Sequence, residues 1–136
     1  MKLDSSAFIA DRELIEALEK RSAPIVCEAD RLLFGQGEAP TGLFILRAGV
    51  ATLSMNSPAG EEVMCAPVSA GSLLGLPGLI GNKPYTLTAK ALKGAELGFV
   101  TRDDFAQMML TEPSMSLRVL RVLAAEVRTA RSAIYE

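Results

Sequence analysis

The alternation of apolar and polar positions divides most of the chain into a short helical segment and a long β segment. Residues 11–22 repeat apolar side chains at helical spacing, including Leu14 and Leu18, with charged residues on the opposite face. This pattern predicts a short amphipathic helix. In residues 25–100, short apolar runs alternate with turns that contain glycine, such as the turn at Gly60. Strands that are this short and this evenly interrupted predict an antiparallel barrel, sandwich or jelly roll.

Residues 101–135 return to helical spacing. Thr101 is suited to cap a first helix, and Pro113 separates that helix from a long second one. The second helix carries two apolar stripes on different faces. The first stripe consists of Met115, Val119, Val122 and Leu123. The second stripe has heptad spacing and consists of Leu117, Leu120, Ala124, Val127 and Ile134, with Arg131 in register. Since one stripe suffices to pack the helix on its own domain, the second predicts a homodimer through this helix.

Composition and charge narrow the range of partners. The 136 residues correspond to one domain, residues 1–136, which is long enough to bury a core. There are 14 Lys and Arg against 16 Asp and Glu, whereas nucleic-acid binding usually needs a basic excess. The arginines of the last helix are partly offset by Glu126 and Glu136. We interpret this as a solvated face and expect no DNA partner.

The chain shows neither a signal peptide nor an apolar run long enough to span a bilayer. We therefore expect a cytoplasmic protein with no membrane partner. Cys27 and Cys65 are far apart and have apolar neighbours, which favours two buried thiols in a reducing compartment over a redox pair.

The absence of histidine excludes several classes of enzyme. A Ser-His-Asp or Cys-His hydrolase needs the imidazole as its base. A metal-dependent cupin enzyme would need a histidine-rich cluster inside its barrel. Two cysteines also cannot hold an iron–sulfur cluster by the usual four thiolates. We therefore expect no metal, no cofactor and no catalytic residues.

The segment LFGQGEAPTGLFILRAGVATL, residues 33–53, has a distinctive order of glycines and apolar positions. It resembles the start of the cyclic-nucleotide-binding domain of the CRP/FNR regulators. The resemblance continues through residues 60–62 and 71–75 to the last helix. It implies a mainly β fold with flanking helices: a double-stranded β-helix, that is, an eight-stranded cupin-like jelly roll or β-roll. It also implies a ligand pocket inside the roll and dimerisation through the long C-terminal helix.

The departures from the family pattern concentrate in the ligand cassette. In members that bind cyclic nucleotides, a glutamate holds the ribose hydroxyl, an arginine neutralises the phosphate, and the amides of a short helix surround it. Here Leu76 stands at the glutamate position and Tyr85 at the arginine position, if the loop is one residue shorter. Ala130 and Arg131 stand where cAMP-responsive members carry small hydroxyl residues. We therefore expect no binding of cAMP or cGMP in the usual way.

The candidate ligand-binding residues of this degenerate cassette are Gly75, Leu76, Gly78, Leu79, Tyr85, Thr86 and Arg131. The glycines of the cassette either retain an anion-binding loop or only allow tight turns. Lys83 and Arg131 either supply the missing positive charge or extend to solvent, and an exposed loop tip is the favoured interpretation for Lys83.

Three hypotheses for function remain open. The first is a regulatory, sensory domain that binds a small-molecule effector of unknown identity. The second is a ligand-free dimerisation or interaction module with a collapsed pocket. The third, and least favoured, is a metal-independent enzyme on a cupin-like barrel. CRP/FNR regulators read DNA with a helix-turn-helix after the dimer helix. The sequence ends at Glu136, so we expect neither that domain nor DNA binding.

Overall fold

Two four-stranded antiparallel sheets form the body of the protein. The computed structural model describes residues 3–135, and the surroundings of side chains up to residue 132. The strand order is β1-β8-β3-β6 in one sheet and β2-β7-β4-β5 in the other. The strands are β1 (Ala23–Val26), β2 (Arg31–Phe34), β3 (Gly42–Ala48), β4 (Ala51–Asn56), β5 (Glu62–Val68), β6 (Leu73–Leu74), β7 (Thr88–Ala91) and β8 (Glu96–Thr101). This architecture confirms the predicted β-roll.

The helices flank the roll, as the sequence predicts. They are a 3₁₀ helix (Ser5–Phe8), α1 (Arg12–Glu19), α2 (Leu76–Gly81), α3 (Arg102–Thr111) and α4 (Ser114–Tyr135). Asp11 caps α1 by accepting a hydrogen bond from the backbone N–H of Leu14 at 2.9 Å. Helix α1 is shorter than the predicted segment 11–22 because the chain turns to pair residues 23–26 with β8. Within residues 3–135, no helix has both the length and the apolar character needed to cross a bilayer.

Strand β3 is buried on both faces and separates two cores. Successive side chains of a strand point to opposite sides of its sheet. Phe44 and Leu46 therefore lie in the core of the roll, whereas Leu43 and Ile45 lie in a second core beneath the helices. We call these the roll core and the helical core. The sheet that contains β3 thus fixes the helices relative to the interior of the roll.

Helix α4 uses one of its two stripes to pack on the helical core. Val119 and Val122 are buried there beside Leu14 of α1. Arg118 reinforces this contact by pairing with Asp11 at 3.1 Å, on the residue that caps α1. The first stripe therefore packs inside the chain, and the second stripe is left for the surface.

The two cysteines differ in their surroundings. Cys27 is buried, but Cys65 is exposed, so the prediction of two buried thiols is wrong for Cys65. Met64 and Ala66 of β5 face the roll core, and the alternation along a strand turns Cys65 outward. Met64 and Ala66 occupy the inward-facing positions on either side of Cys65, so its side chain lies on the outer face of the sheet.

Candidate ligand cavity

A cavity of about 230 Å³ lies inside the roll. Pockets for drug-sized ligands usually measure roughly 300–1,000 Å³, whereas an engineered apolar cavity of about 150 Å³ binds benzene. The cavity is therefore suited to a small molecule. The lining residues are Phe8, Phe34, Leu53, Met55, Leu74, Gly75, Pro77, Gly78, Tyr85, Thr86, Leu87, Glu126, Val127, Ala130 and Arg131. Most of this wall is apolar.

Tyr85 stands where the resemblance would place a phosphate-binding arginine, and it is fully engaged with the protein itself. Its hydroxyl donates to the backbone carbonyl of Gly42 at 2.7 Å. The same oxygen accepts from the backbone N–H groups of Thr41 at 3.0 Å and Gly42 at 3.3 Å. Its ring stacks on Phe34 with a centroid distance of 4.0 Å. The hydroxyl therefore has no free donor for a ligand, and the side chain carries no positive charge.

Gly75 and Gly78 allow the chain to approach Tyr85 closely. Gly75 has a φ of +97°, and a Cβ there would lie 3.1 Å from Cε1 of Tyr85 and 3.3 Å from Cε2 of Phe34. A Cβ at Gly78 would lie 3.2 Å from Cδ1 of Tyr85. Pro77, between them, has no N–H to offer to an anion. These observations favour the interpretation in which the glycines serve turning and packing.

Leu76 and Leu79, two of the candidate ligand-binding residues, do not line the cavity. Both side chains are buried in the helical core. Residues three apart on a helix share a face, and this face of α2 points to the helices, whereas Gly75, Pro77 and Gly78 border the cavity. Neither leucine is therefore a cavity residue, because the orientation of α2 is set by tertiary packing, which a sequence alignment does not report.

The remaining candidates of the cassette lie at the edge of the cavity or outside it. Thr86 and Arg131 line the cavity but are exposed to solvent. Lys83 is exposed in the loop after α2 and does not line the cavity. Ala130, the other residue at a base-contacting position, is half-buried in the wall. The positive charges available near the cavity are therefore solvated rather than enclosed.

Glu126 is a buried acidic residue in the cavity wall, and the prediction that it belongs to a solvated face is wrong. It is 2% exposed. Its Oε2 atom has no hydrogen-bond partner among the described residues. Burial raises the pKa of the Glu126 carboxyl well above its usual range, because the charged form loses its hydration. In the absence of a partner, the neutral form is therefore favoured.

A signal for Glu126 was present in the sequence. The buried stripe of α4 continues beyond Val122 at spacings of four and three to Glu126 and Thr129, both of which are buried. Thr129 has a partner, because its Oγ1 accepts a hydrogen bond from the backbone N–H of Asp4 at 2.6 Å. A charged residue in register with a buried stripe indicates either a strained position or a functional one.

The second stripe of α4 lies on the surface. Leu117, Leu120 and Val127 are 56%, 53% and 40% exposed. Ala124 is exposed as well. The side chain of Ile134, the last member of the predicted seam, lies outside the described residues. Val127 also lines the cavity, so the apolar stripe runs directly past the cavity wall.

Comparison with known protein families gives one match over most of the roll. Residues 24–112, more than half of the chain, match the family described as the cyclic nucleotide-binding domain. The CRP-like cAMP-activated global transcriptional regulator of Mycobacterium tuberculosis is 25% identical over 114 residues, which cover 84% of this chain and 51% of that protein. The chain thus spans about half the length of the curated relatives it matches.

Solved structures share the fold. The catabolite activator protein of Thermus thermophilus has a TM-score of 0.77 at 20% identity, over 91% of this chain and 58% of that one. The N-terminal domain of a transcriptional regulator from Streptomyces coelicolor A3(2) has a TM-score of 0.67 at 25% identity, over 93% and 88% of the two chains. The similarities confirm the resemblance to CRP/FNR regulators that the sequence motifs indicate.

The placement of Leu76 predicts that restoring the family's glutamate destabilises the protein. Leu76→Glu would put a carboxylate into the helical core without a partner, at a cost of about 3 kcal/mol or more in the free energy of unfolding. Ile80→Glu is the matched control, because Ile80 lies on the same helix and is 37% exposed. Urea unfolding measures both variants. Equal stability of the two would contradict the buried position of Leu76.

The raised pKa of Glu126 predicts a pH-dependent stability. Above the ordinary value of 4.5, the unfolded chain releases the proton while the folded protein keeps it, so stability falls as pH rises towards the folded pKa. Glu126→Gln removes this dependence. We compare the unfolding equilibrium constant of the unmodified protein with that of Glu126→Gln. Between pH 4.5 and the raised pKa of the folded protein, their ratio should rise by about tenfold per pH unit.

Urea unfolding at pH 5 and pH 8, at fixed protein concentration, tests this expectation. Glu28→Gln, a substitution at an exposed loop residue, is the control and should follow the unmodified protein. A constant difference between the unmodified protein and Glu126→Gln at both pH values would show that Glu126 is ionised throughout.

Proposed function

The chain belongs to the cyclic nucleotide-binding domain family, and we propose that it is a sensory domain whose roll binds a small molecule other than cAMP or cGMP. In this proposal, residues 1–136 act as one ligand-binding domain without catalytic activity. Its curated relatives include a global transcriptional regulator and a transcriptional activator, which supports a regulatory role.

The observation that carries the proposal is the state of Tyr85. A buried phosphate needs a paired cation, because an isolated buried charge costs several kcal/mol. Tyr85 offers no charge, and its hydroxyl is committed to the backbone of Thr41 and Gly42. Arg131, the cation in the cavity lining, is exposed. The cavity therefore lacks the enclosed positive charge that a cyclic phosphate requires.

The open cavity favours ligand binding over a collapsed module. Protein interiors are close-packed, and voids much larger than a water molecule are few. Here a space of about 230 Å³ remains between mainly apolar walls, and the buried residue Glu126 is part of the lining. A collapsed roll would fill this space with side chains. The cavity therefore supports the first of the three hypotheses.

The two buried polar side chains of the wall, Tyr85 and Glu126, do not form a catalytic pair. Covalent catalysis needs a nucleophile and a base within hydrogen-bond reach of each other. The Tyr85 hydroxyl bonds only to the backbone, and Glu126 Oε2 bonds to none of the described residues. We therefore infer a binding role for the wall rather than an enzymatic one.

We expect cAMP and cGMP not to bind at physiological concentrations. Loss of the two charged partners at the Leu76 and Tyr85 positions costs about 1.5–3 kcal/mol for each, which weakens a micromolar site at least about a hundredfold. Isothermal titration calorimetry with either nucleotide should give no heat of binding at micromolar concentration.

A micromolar dissociation constant would contradict this expectation. In that case Arg131→Ala identifies whether Arg131 supplies the substitute charge. Arg128→Ala is the matched control, because Arg128 lies on the same helix but does not line the cavity.

We also propose that the domain forms a homodimer through the exposed stripe of α4. Leu117, Leu120, Ala124 and Val127 present an apolar surface at heptad spacing, which is the pattern that pairs helices. A continuous exposed stripe of this kind is unfavourable in water unless a second apolar surface covers it.

The double substitution Leu117→Glu and Leu120→Glu should give monomers. Carboxylates on a stripe that is buried against its own copy repel and lose hydration. Leu110→Glu is the control, because Leu110 is 78% exposed on α3 and lies outside the stripe. Light scattering should report half the mass for the double variant and an unchanged mass for the control. A monomeric unmodified protein would contradict the proposal.

A further inference from the structure

The wall of the cavity has one uncompensated polar group, and its chemistry limits what the cavity can bind. Oε2 of Glu126 is the buried side-chain oxygen or nitrogen atom without a hydrogen-bond partner among the described residues. Buried polar atoms are rarely left unsatisfied in folded proteins, and those that are call for an explanation. A ligand that supplies the missing partner would explain this one.

Within the described residues, no side chain pairs with this carboxyl. No ion pair within the described residues includes Glu126. Arg131 lines the same cavity from α4, but its side chain is exposed. Tyr85 cannot donate to Glu126, because its single O–H already donates to the carbonyl of Gly42. Because Glu126 lines the cavity, a molecule in the cavity is placed to supply the partner.

The carboxyl is neutral without a partner, and a cation beside it favours its ionised form, so its chemistry selects the class of ligand. An anion would oppose ionisation of Glu126, and it finds no enclosed cation among the described lining residues. A neutral hydroxyl supplies one donor and no charge. A protonated amine supplies several donors and a positive charge, and hydrogen bonds between charged partners are about twice as strong as neutral ones. The rest of the wall, including Phe34, Leu53 and Leu87, is apolar.

We propose that the cavity binds a small, mainly apolar molecule that carries one protonated amine, and that the Glu126 carboxylate holds this amine. The inference rests on the proposed function, the binding of a small molecule inside the roll. The volume of about 230 Å³ exceeds the cavity of about 150 Å³ that holds benzene. It is therefore suited to a single ring or a short alkyl chain with an aminoalkyl arm.

Calorimetry and thermal shift with matched probes of different charge test this inference. The amines are phenylethylamine and hexylamine, the neutral probes are phenylethanol and hexanol, and the acids are phenylpropanoate and heptanoate. We expect the amines to bind at least about tenfold more tightly than their neutral counterparts, and the acids to bind most weakly.

Glu126→Gln separates recognition of the amine from general apolar binding. This variant should lose at least about tenfold in affinity for the amines, while its affinity for the alcohols stays the same. It keeps the shape of the side chain and removes a buried ionisable group, so it is expected to fold. Glu28→Gln, on an exposed loop residue, should bind like the unmodified protein.

The outcomes distinguish the two levels of the proposal. Preference for amines that is lost in Glu126→Gln supports the inference. Equal or better binding of alcohols or acids, or undiminished amine binding by Glu126→Gln, overturns the inference but leaves small-molecule binding in place. If none of the probes binds at millimolar concentration, the inference fails.

Discussion

The burial of strand β3 on both faces is the constraint on which the other features depend. Its alternating side chains belong to two cores, Phe44 and Leu46 to the roll core and Leu43 and Ile45 to the helical core. A change in the register of β3 by one residue would exchange the two sets. The start of the same strand also receives the Tyr85 hydroxyl, through the backbone of Gly42. Helices α1, α2 and α3 all pack against this strand, whereas α4 packs on the other helices. One strand therefore positions three of the helices directly, and it positions one part of the cavity wall through Tyr85.

Tyr85 shows how a family's ligand position can become part of the protein's own packing. Stacking on Phe34 and hydrogen bonding to β3 fill the space near α2, and the close approach requires the small residues Gly75 and Gly78. The glycines of the cassette therefore persist in a structural role even where the charge for a phosphate is absent. This distinction matters because a glycine pattern alone would be consistent with either role.

The sequence predicted the fold better than the site, for physical reasons that differ from residue to residue. The strands and the two stripes of α4 were predictable because periodicity reports which face of an element is buried. The alignment located Leu76 and Leu79 in the cassette, but the direction of α2 depends on tertiary packing, and this turns both into the helical core. Glu126 was assigned to the surface because of its charge, although its spacing from Val122 continues the buried stripe. The charge of Glu126 favours an exposed position, whereas its spacing favours a buried one, and the spacing agrees with the structure.

Glu126 and its neighbour Val127 connect the cavity with the exposed surface of α4. Adjacent helical residues point about 100° apart. Glu126 is buried and lines the cavity, whereas its neighbour Val127 lines the cavity and also belongs to the exposed stripe. Leu120 and Ala124 of the exposed stripe lie on the same helix, within two turns of Glu126. The proposed ligand site and the proposed dimer surface therefore share α4, and Val127 belongs to both.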